Sequence, residues 1–244
     1  MEFSEFKEKI SSKFLKNISI DISDIQCQQF FDFMNLLIEK NKVMNLTAIV
    51  SPDEIIVRHF LDSCMMIKFF KENDLDGKRI VDVGTGAGFP GLPLAIMLQK
   101  TNFVLTDTLG KRIKFLQEVL DCVGINNVEL IKVRAEDFAH EKGYREQFDY
   151  IVSRGVARFS VLSEYSLPLL VVGGKMLAYK MNDCGEELKE GTKAINVLGG
   201  MFHVKHSYGI IDGEPERCIV EIDKVKTTPN KYPRKAGTPS KEPL

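Results

Sequence analysis

From residue 79 onward, short β-rich runs alternate with helical stretches, and that alternation leaves few folds open. The runs are Ile80–Val83, Phe103–Thr106, Val128–Val133, Phe148–Val152 and Lys175–Tyr179. Between the second and third, Ile113, Leu116, Leu120 and Val123 mark one face of an amphipathic helix. It stops at Gly124, a residue suited to the left-handed position after a helix. Ser160 is the expected cap of a later helix, before Pro168 and the Gly173-Gly174 turn. Strands separated by helices pair in parallel, through right-handed crossovers that place helices on the sheet faces. Two further runs, Met201–Tyr208 and Arg217–Val225, are joined by Gly209–Glu216. That loop holds Asp212-Gly213 and reads as a hairpin, so the last pair is expected to be antiparallel. The expectation is an α/β fold: a seven-stranded, mostly parallel sheet with helices on both faces.

Residues 1–70 carry a different period. Ser23-Asp24-Ile25-Gln26 fits a capping box, and Phe30, Phe33, Met34, Leu37 and Ile38 follow on one helical face. Ser51-Pro52-Asp53-Glu54 opens a second helix, with proline at its first position and acids in its first turn. Ile56, Phe60, Cys64 and Ile67 continue its apolar face, while Asn41–Thr47 shows no period. The chain divides into a helical extension (1–70), an α/β domain (71–226) and a basic tail (227–244). From Lys224 onward there are six cations (Lys224, Lys226, Lys231, Arg234, Lys235, Lys241) and one acid, Glu242. By charge alone this is a solvated, partly disordered tail.

Net charge is −1, so nucleic-acid binding is not a global property of the composition. Five scattered cysteines without C-x-x-C spacing give neither a disulfide framework nor a structural zinc site. In a regular strand His203 and His206 point to opposite faces, so no metal site is expected from them. No apolar run reaches the roughly 18–20 residues of a membrane span. The first residues lack the apolar core of a secretory signal. A cytoplasmic, monomeric protein is expected.

The first β run ends in Gly84-Thr85-Gly86-Ala87-Gly88-Phe89-Pro90-Gly91. In a doubly wound sheet this turn lies at the ligand crevice, where glycines let backbone amides approach a ligand. The loop contains G-x-G-x-x-G, but three features speak against a dinucleotide. Its first glycine is Gly84, preceded by Asp82; Pro90 removes an amide donor; and no second nucleotide-sized half follows. No Gly-Lys-Ser/Thr follows either, which excludes a P-loop. Asp107 ends the second run, 19 residues after Gly88, where an acid meets ribose hydroxyls. Glu136-Asp137 follows the third run, where an adenine edge would lie. The competing reading of each acid is a helix cap or a solvated loop. A glycine loop without a phosphate cradle, with acids after three successive strands, suits S-adenosylmethionine. That ligand has ribose, adenine and a cationic sulfonium, and no phosphate.

The stretch Val81-Asp82-Val83-Gly84-Thr85-Gly86-Ala87-Gly88-Phe89-Pro90-Gly91-Leu92-Pro93-Leu94-Ala95 resembles the signature of the RsmG (GidB) family of bacterial small-subunit ribosomal RNA methyltransferases. Further segments share the resemblance: Asn45-Leu46-Thr47, Arg58-His59-Phe60-Leu61-Asp62-Ser63, Asp107-Thr108-Leu109-Gly110-Lys111-Arg112, Arg134-Ala135-Glu136-Asp137, Ser153-Arg154-Gly155-Val156-Ala157, and Tyr232-Pro233-Arg234-Lys235-Ala236-Gly237-Thr238-Pro239. The resemblance implies a class I S-adenosylmethionine-dependent methyltransferase fold. It implies methyl transfer to N7 of one guanine in the helix 18 region of 16S ribosomal RNA, with S-adenosylhomocysteine as product. It carries cofactor contacts to Gly84, Phe89, Ala135, Glu136 and Arg154, with Asp107 on the ribose side. The loop residues Asp82, Gly86 and Gly88 complete the expected cofactor set.

The chemistry agrees with what the sequence lacks. Exocyclic-amine methylation usually calls for an Asn/Asp-Pro-Pro-aromatic loop after the fourth strand; here that place reads Ser153-Arg154-Gly155. Pyrimidine C5 methylation needs a nucleophilic cysteine there, and none is present. Guanine N7 has a free in-plane lone pair, so no catalytic acid or base is expected, only positioning and exclusion of water. Arg154 is the expected substrate-orienting residue, reaching guanine O6 or a phosphate; the alternative is an ion pair with Asp82 or Glu136. Arg58, His59, Lys111, Arg112, Arg158, Lys180, Arg234 and Lys235 are candidate contacts to RNA. His59 also fits a packed, hydrogen-bonded histidine. The N-terminal helices are expected to cover one side of the cleft. The target base must be pulled from its stack, or be methylated before the region folds. The partner is 16S ribosomal RNA, free, in the 30S subunit or in an assembly intermediate. A NAD-dependent oxidoreductase and a non-enzymatic ribosome-binding factor are the rival readings.

Overall fold

The computed structural model describes residues 1–71, 73–211 and 214–244. The extension forms α1 (Phe3–Ile18) and α2 (Asp24–Met44). A rod of mixed pitch follows: α3 (Pro52–Glu54), a π-helical segment Ile55–Leu61, α4 (Asp62–Cys64) and a 3-10 turn Met65–Phe69. The alternating part runs β1 (Arg79–Val83), α5 (Gly91–Met97), β2 (Asn102–Asp107), α6 (Gly110–Val123), β3 (Val128–Lys132) and α7 (Ala135–Phe138). It continues through β4 (Phe148–Arg154), α8 (Phe159–Ser166), β5 (Leu170–Met181), α9 (Gly185–Val197), β6 (Gly200–Tyr208) and β7 (Arg217–Lys224), and ends in α10 (Thr238–Lys241).

The strands form one sheet in the order β3-β2-β1-β4-β5-β7-β6. β1 to β5 are parallel, and β7 lies antiparallel between β5 and β6. The expected antiparallel pair is therefore present; the Asp212-Gly213 turn lies outside the described residues. Strand order reverses between β1 and β4, which opens a crevice at their carboxyl ends. Central parallel strands are covered on both faces, so β1 reads as the apolar run Ile80, Val81, Val83, all buried.

On one face, Ile80, Phe103 and Leu105 share a core with Phe115, Leu116 and Val119 of α6 and with the extension. Phe6, Ile10 and Phe14 of α1 and Phe30, Phe33 and Leu37 of α2 complete that core. The opposite face packs Val81, Val83 and Ile151 against Phe159 and Leu162 of α8 and Ile195 of α9. α2 starts on the expected capping box: Ser23 Oγ accepts from the Gln26 amide at 3.3 Å, and Gln26 Oε1 from the Ser23 amide at 3.1 Å. α6 ends on Gly124 at φ +66°, as expected. The Asn41–Thr47 stretch, which shows no period, is organised by one side chain. Asn41 Oδ1 accepts the Leu46 and Thr47 amides, and its Nδ2 donates to the Thr47 carbonyl.

Four local expectations are corrected. Ser160 does not cap α8, which begins at Phe159; the Phe159 amide donates to Glu187 Oε1 of α9 at 3.0 Å instead. The regular helix expected after Pro52 widens into a π segment. Its carbonyls are drawn to side-chain donors: Arg58 O accepts from Arg154 Nη1 and His59 O from Ser63 Oγ. His203 and His206 share a face, because the pairing of β6 with β7 slips by one residue between Phe202 and Val204. His203 Nδ1 lies 2.9 Å from Asp223 and His206 Nε2 lies 3.3 Å from Glu221; Lys175 bridges both carboxylates. The tail, finally, is anchored. Lys224 is fully buried, with Nζ on Thr228 Oγ1 at 2.6 Å and on the Leu167 carbonyl, and burial lowers its pKa to about 8. Arg145 holds the Thr228 and Tyr232 carbonyls, both at 2.8 Å.

Candidate functional site

The turn after β1 is fixed from below. The amides of Gly84 and Thr85 donate to the Thr106 carbonyl at 3.0 and 2.9 Å. Gly84 sits at φ +74°, and a Cβ there would lie 2.8 Å from Val156 Cγ2. Asp82 is fully buried, and its Oδ2 accepts from Thr85 Oγ1 at 2.7 Å and the Gly91 amide at 2.8 Å. Asp82 thus ties both ends of the loop together. Its place among the expected cofactor contacts is corrected, because its carboxylate faces the loop from beneath.

Burial pushes the Asp82 carboxyl up to about 7, against the opposing pull of its hydrogen bonds to Thr85 and Gly91. A folded-state pKa above the unfolded value means the native state holds the proton longer. The Asp82 contribution to stability is complete below about pH 4 and is lost as pH rises toward 7. Asp82→Asn is expected to remove that downward slope, measured as melting temperature against pH for both proteins. Parallel curves would refute the assignment.

Beyond the loop lies a cleft of about 360 Å³, walled by Gly84, Asp107, Ala135, Glu136 and Gly155 among others. Asp107 Oδ2 accepts from the Gly86 amide at 3.1 Å and from Arg112 Nη1 at 3.0 Å; Oδ1 accepts the Leu109 amide at 2.8 Å. Glu136 is buried, and its Oε1 accepts the Gly237 amide at 2.8 Å. Gly237 and Ser240 close this side of the cleft, with Ser240 Oγ 3.3 Å from Tyr165 Oη. Two carboxylates and a glycine cradle, with Arg112 paired to Asp107 and Arg134 also in the lining, fit a ligand carrying a ribose and an adenine. Of the other expected loop residues, Gly88 faces Leu92 and Leu116, and Phe89 is buried between Phe33 and His59. They shape the loop from behind the cleft.

A second cleft of about 560 Å³ adjoins the first across Gly155. Arg154, Arg158, Lys180 and Arg217 line it, with Tyr179, Tyr208 and Asp183. Arg154 is placed here, outside the walls of the first cleft. Its expected partner is corrected too: Nη1 donates to Asp62 Oδ2 at 2.7 Å, not to Asp82 or Glu136. The same Asp62 oxygen accepts Arg217 Nη1 at 2.9 Å, and Oδ1 accepts Tyr208 Oη at 2.9 Å. Asp62 comes from the rod in the extension, so the extension holds Arg154 and Arg217 from behind the cleft.

His59, a candidate RNA contact, is instead buried. Its ring stacks on Phe89 at 4.3 Å, and burial and the Arg154 charge lower its pKa to about 3. A guanidinium only donates, so Nδ1 accepts from Arg154 Nη2 at 3.2 Å and the Nε2 proton goes to Thr47 Oγ1 at 2.9 Å. Other candidates are engaged within the fold. Arg58 pairs with Glu54 and Glu214, Arg112 with Asp107, Arg158 with Glu190, Lys180 with Glu187, and Arg234 with Glu164. Lys111, which donates to the Met44 carbonyl, and Lys235 are exposed and without an ion pair among the described residues.

Sheet, crevice and acid-lined glycine cleft together define a class I S-adenosylmethionine-dependent methyltransferase. Solved structures agree on the fold. TrmN from Thermus thermophilus superposes with a TM-score of 0.53 at 16% identity, covering 70% of this chain and 53% of that one. A ribosomal protein L11 methylase from Lactobacillus delbrueckii subsp. bulgaricus gives 0.51 at 16%, covering 69% and 79%. P. horikoshii TYW2 in complex with MeSAdo gives 0.51 at 14%, covering 68% and 62%. The chain belongs to the GidB family, rRNA small subunit methyltransferase G, whose family model matches residues 26–209. Ribosomal RNA small subunit methyltransferase G of Desulforamulus reducens is 44% identical over 229 residues, 94% of this chain and 95% of that protein. The protein of the same name from Clostridium tetani is 43% identical over 228 residues, 93% and 95%. No helix among the described residues is long and apolar enough to cross a membrane.

Proposed function

We propose that the chain methylates N7 of one guanine in the helix 18 region of 16S ribosomal RNA, as a cytoplasmic monomer acting on the 30S subunit or its precursor. The observation that carries the reading is the pair of clefts joined at Gly155, one with Asp107 and Glu136 in its lining and the other with Arg154, Arg158 and Arg217. Asp107 and Glu136 are read as the acceptors for the ribose hydroxyls and the adenine edge, and Gly155 brings backbone to the point where the clefts meet. Bound S-adenosylmethionine supplies a methyl group on a positively charged sulfur. The residues of the second cleft orient the base and keep water out. Guanine N7 carries no proton, so no side chain has to remove one. Aligning nucleophile, carbon and leaving sulfur can contribute on the order of 7–11 kcal/mol. Lys111 and Lys235 on the outer surface are read as phosphate contacts, and RNA affinity should fall with added salt.

Labelled cofactor and 30S particles from cells lacking the enzyme test the reading. Label on a single guanine N7 is expected with the wild type. Gly84→Asp should lose cofactor affinity by about tenfold or more, since a left-handed side chain is strained by roughly 1–2 kcal/mol before the clash with Val156 is counted. Label on another base would keep the methyltransferase and discard this substrate. No label with cofactor still bound would favour a ribosome-binding role.

A further inference from the structure

The second cleft holds two acids, Asp183 and Glu187, in different states. Glu187 Oε1 already accepts from Lys180 Nζ at 2.6 Å and from the Phe159 amide at 3.0 Å. Asp183 is exposed at the cleft wall, and its carboxylate has no hydrogen bond or ion pair among the described residues. Arg217 offers a matching surplus. Its Nη1 is held by Asp62, while its other guanidinium N–H groups have no partner among the described residues.

We propose that Arg217 and Asp183 read the Watson–Crick edge of the target base and make the enzyme select guanine over adenine. The inference rests on the N7-guanine reading above. Sheet order supplies the geometry. Gly155 follows β4, Asp183 follows β5, and Arg217 opens β7 opposite Met181 at the end of β5. Neighbouring strands lie about 4.8 Å apart. The Arg217 head does not stay over its own strand: Asp62 Oδ2 accepts it beside the head of Arg154, the residue before Gly155. For a base entering with N7 toward Gly155, the guanidinium then lies on the O6 side, and Asp183, about one strand spacing or roughly 5 Å from Gly155, lies on the far side. That is the reach across a purine.

Around guanine, the groups follow in the order N7, O6, N1–H and N2 amine. The guanidinium donates to O6 alone and leaves the N7 lone pair free for attack. The carboxylate accepts from N1–H and the N2 amine together. Adenine reverses both groups, with an amine where O6 stood and a lone pair at N1. It would set donor against donor and acceptor against acceptor, so the same two side chains select by attraction and by repulsion.

The test uses 16S RNA carrying either guanosine or inosine at the methylated position, assembled into small-subunit particles. Inosine lacks only the N2 amine. With the wild type, kcat/KM for inosine should fall about 10- to 100-fold, the effect of losing a hydrogen bond to a charged group. In Asp183→Ala the two substrates should react at the same reduced rate, and Asp183→Glu should restore part of the preference. Asp183 is exposed, so folding is not at risk in these variants. Equal rates with the wild type, or an unchanged ratio in Asp183→Ala, would overturn the assignment while leaving the N7 reading intact. Wild-type label on any atom other than guanine N7 would overturn both.

Discussion

Asp62→Ala is expected to lower the unfolding temperature by roughly 6–20 °C and to abolish methyl transfer. Asp62 is fully buried and is the shared acceptor for two guanidinium groups and a phenol. The side chains of Arg154 and Arg217 are only 15% and 26% exposed, so neither can turn freely to water when the carboxylate is removed. Stripping one partner from a buried ionic group costs about 3–5 kcal/mol, because the remaining charges stay desolvated. In a chain of this size each kcal/mol lowers the melting temperature by about 2–4 °C. Activity should fall further than stability alone requires, since Arg154 and Arg217 lose the group that aims them into the second cleft. Asp62→Asn keeps an acceptor for Tyr208 and should fall between the two. Calorimetric melting together with initial rates checks this. A melting temperature within a degree or two of wild type would mean that water already compensates the arginines.

The tail supplies the second large effect. Glu164 of α8 is fully buried and receives Arg234 through the backbone amide at 2.6 Å, Nε at 3.0 Å and Nη2 at 2.7 Å. This clamp fixes the strand of tail that leads to Gly237 and Ser240 at the cofactor cleft. Glu164→Ala leaves Arg234 without its partner and should cost about 3–5 kcal/mol of stability. With the clamp gone, the amide on Glu136 and the wall beside Tyr165 are no longer held, and affinity for S-adenosylhomocysteine should fall about tenfold or more. Titration calorimetry below the melting range reads it directly. Unchanged affinity in a destabilised variant would show that the tail braces the fold and not the cleft.

These two acids show where sequence reasoning stops. The strands, the glycine loop, Asp107, Glu136 and the α2 cap are legible because each is a local pattern: a short apolar run, a glycine spacing, an acid at a strand end, a hydroxyl three residues before an amide. Asp62 and Glu164 do their work on Arg217 and Arg234, 155 and 70 positions away. A buried carboxylate on a helix looks, in sequence, like any solvated acid until its partner is known. The only signal near Asp62 is its position inside a segment shared with a family. The two histidines of β6 fail for a related reason. Strand parity puts them on opposite faces, and one slipped residue, invisible without the partner strand, brings them together. The composition of the tail does not disclose its role: its charges are real, yet Lys224 and Arg234 use them inside the fold.

Gln29 of α2 donates to the Val123 carbonyl at the end of α6, 94 positions later, and Phe30 and Phe33 sit in the core that α6 completes. During synthesis, Phe14 of α1 and then Phe60 of the rod can cover part of the α2 aromatic stripe, but the face that meets α6 stays bare until the second crossover has left the ribosome. The nascent chain carries that face until about half of its residues have been joined, a window in which chaperones or neighbouring chains can reach it. An element made early is thus completed by one made much later.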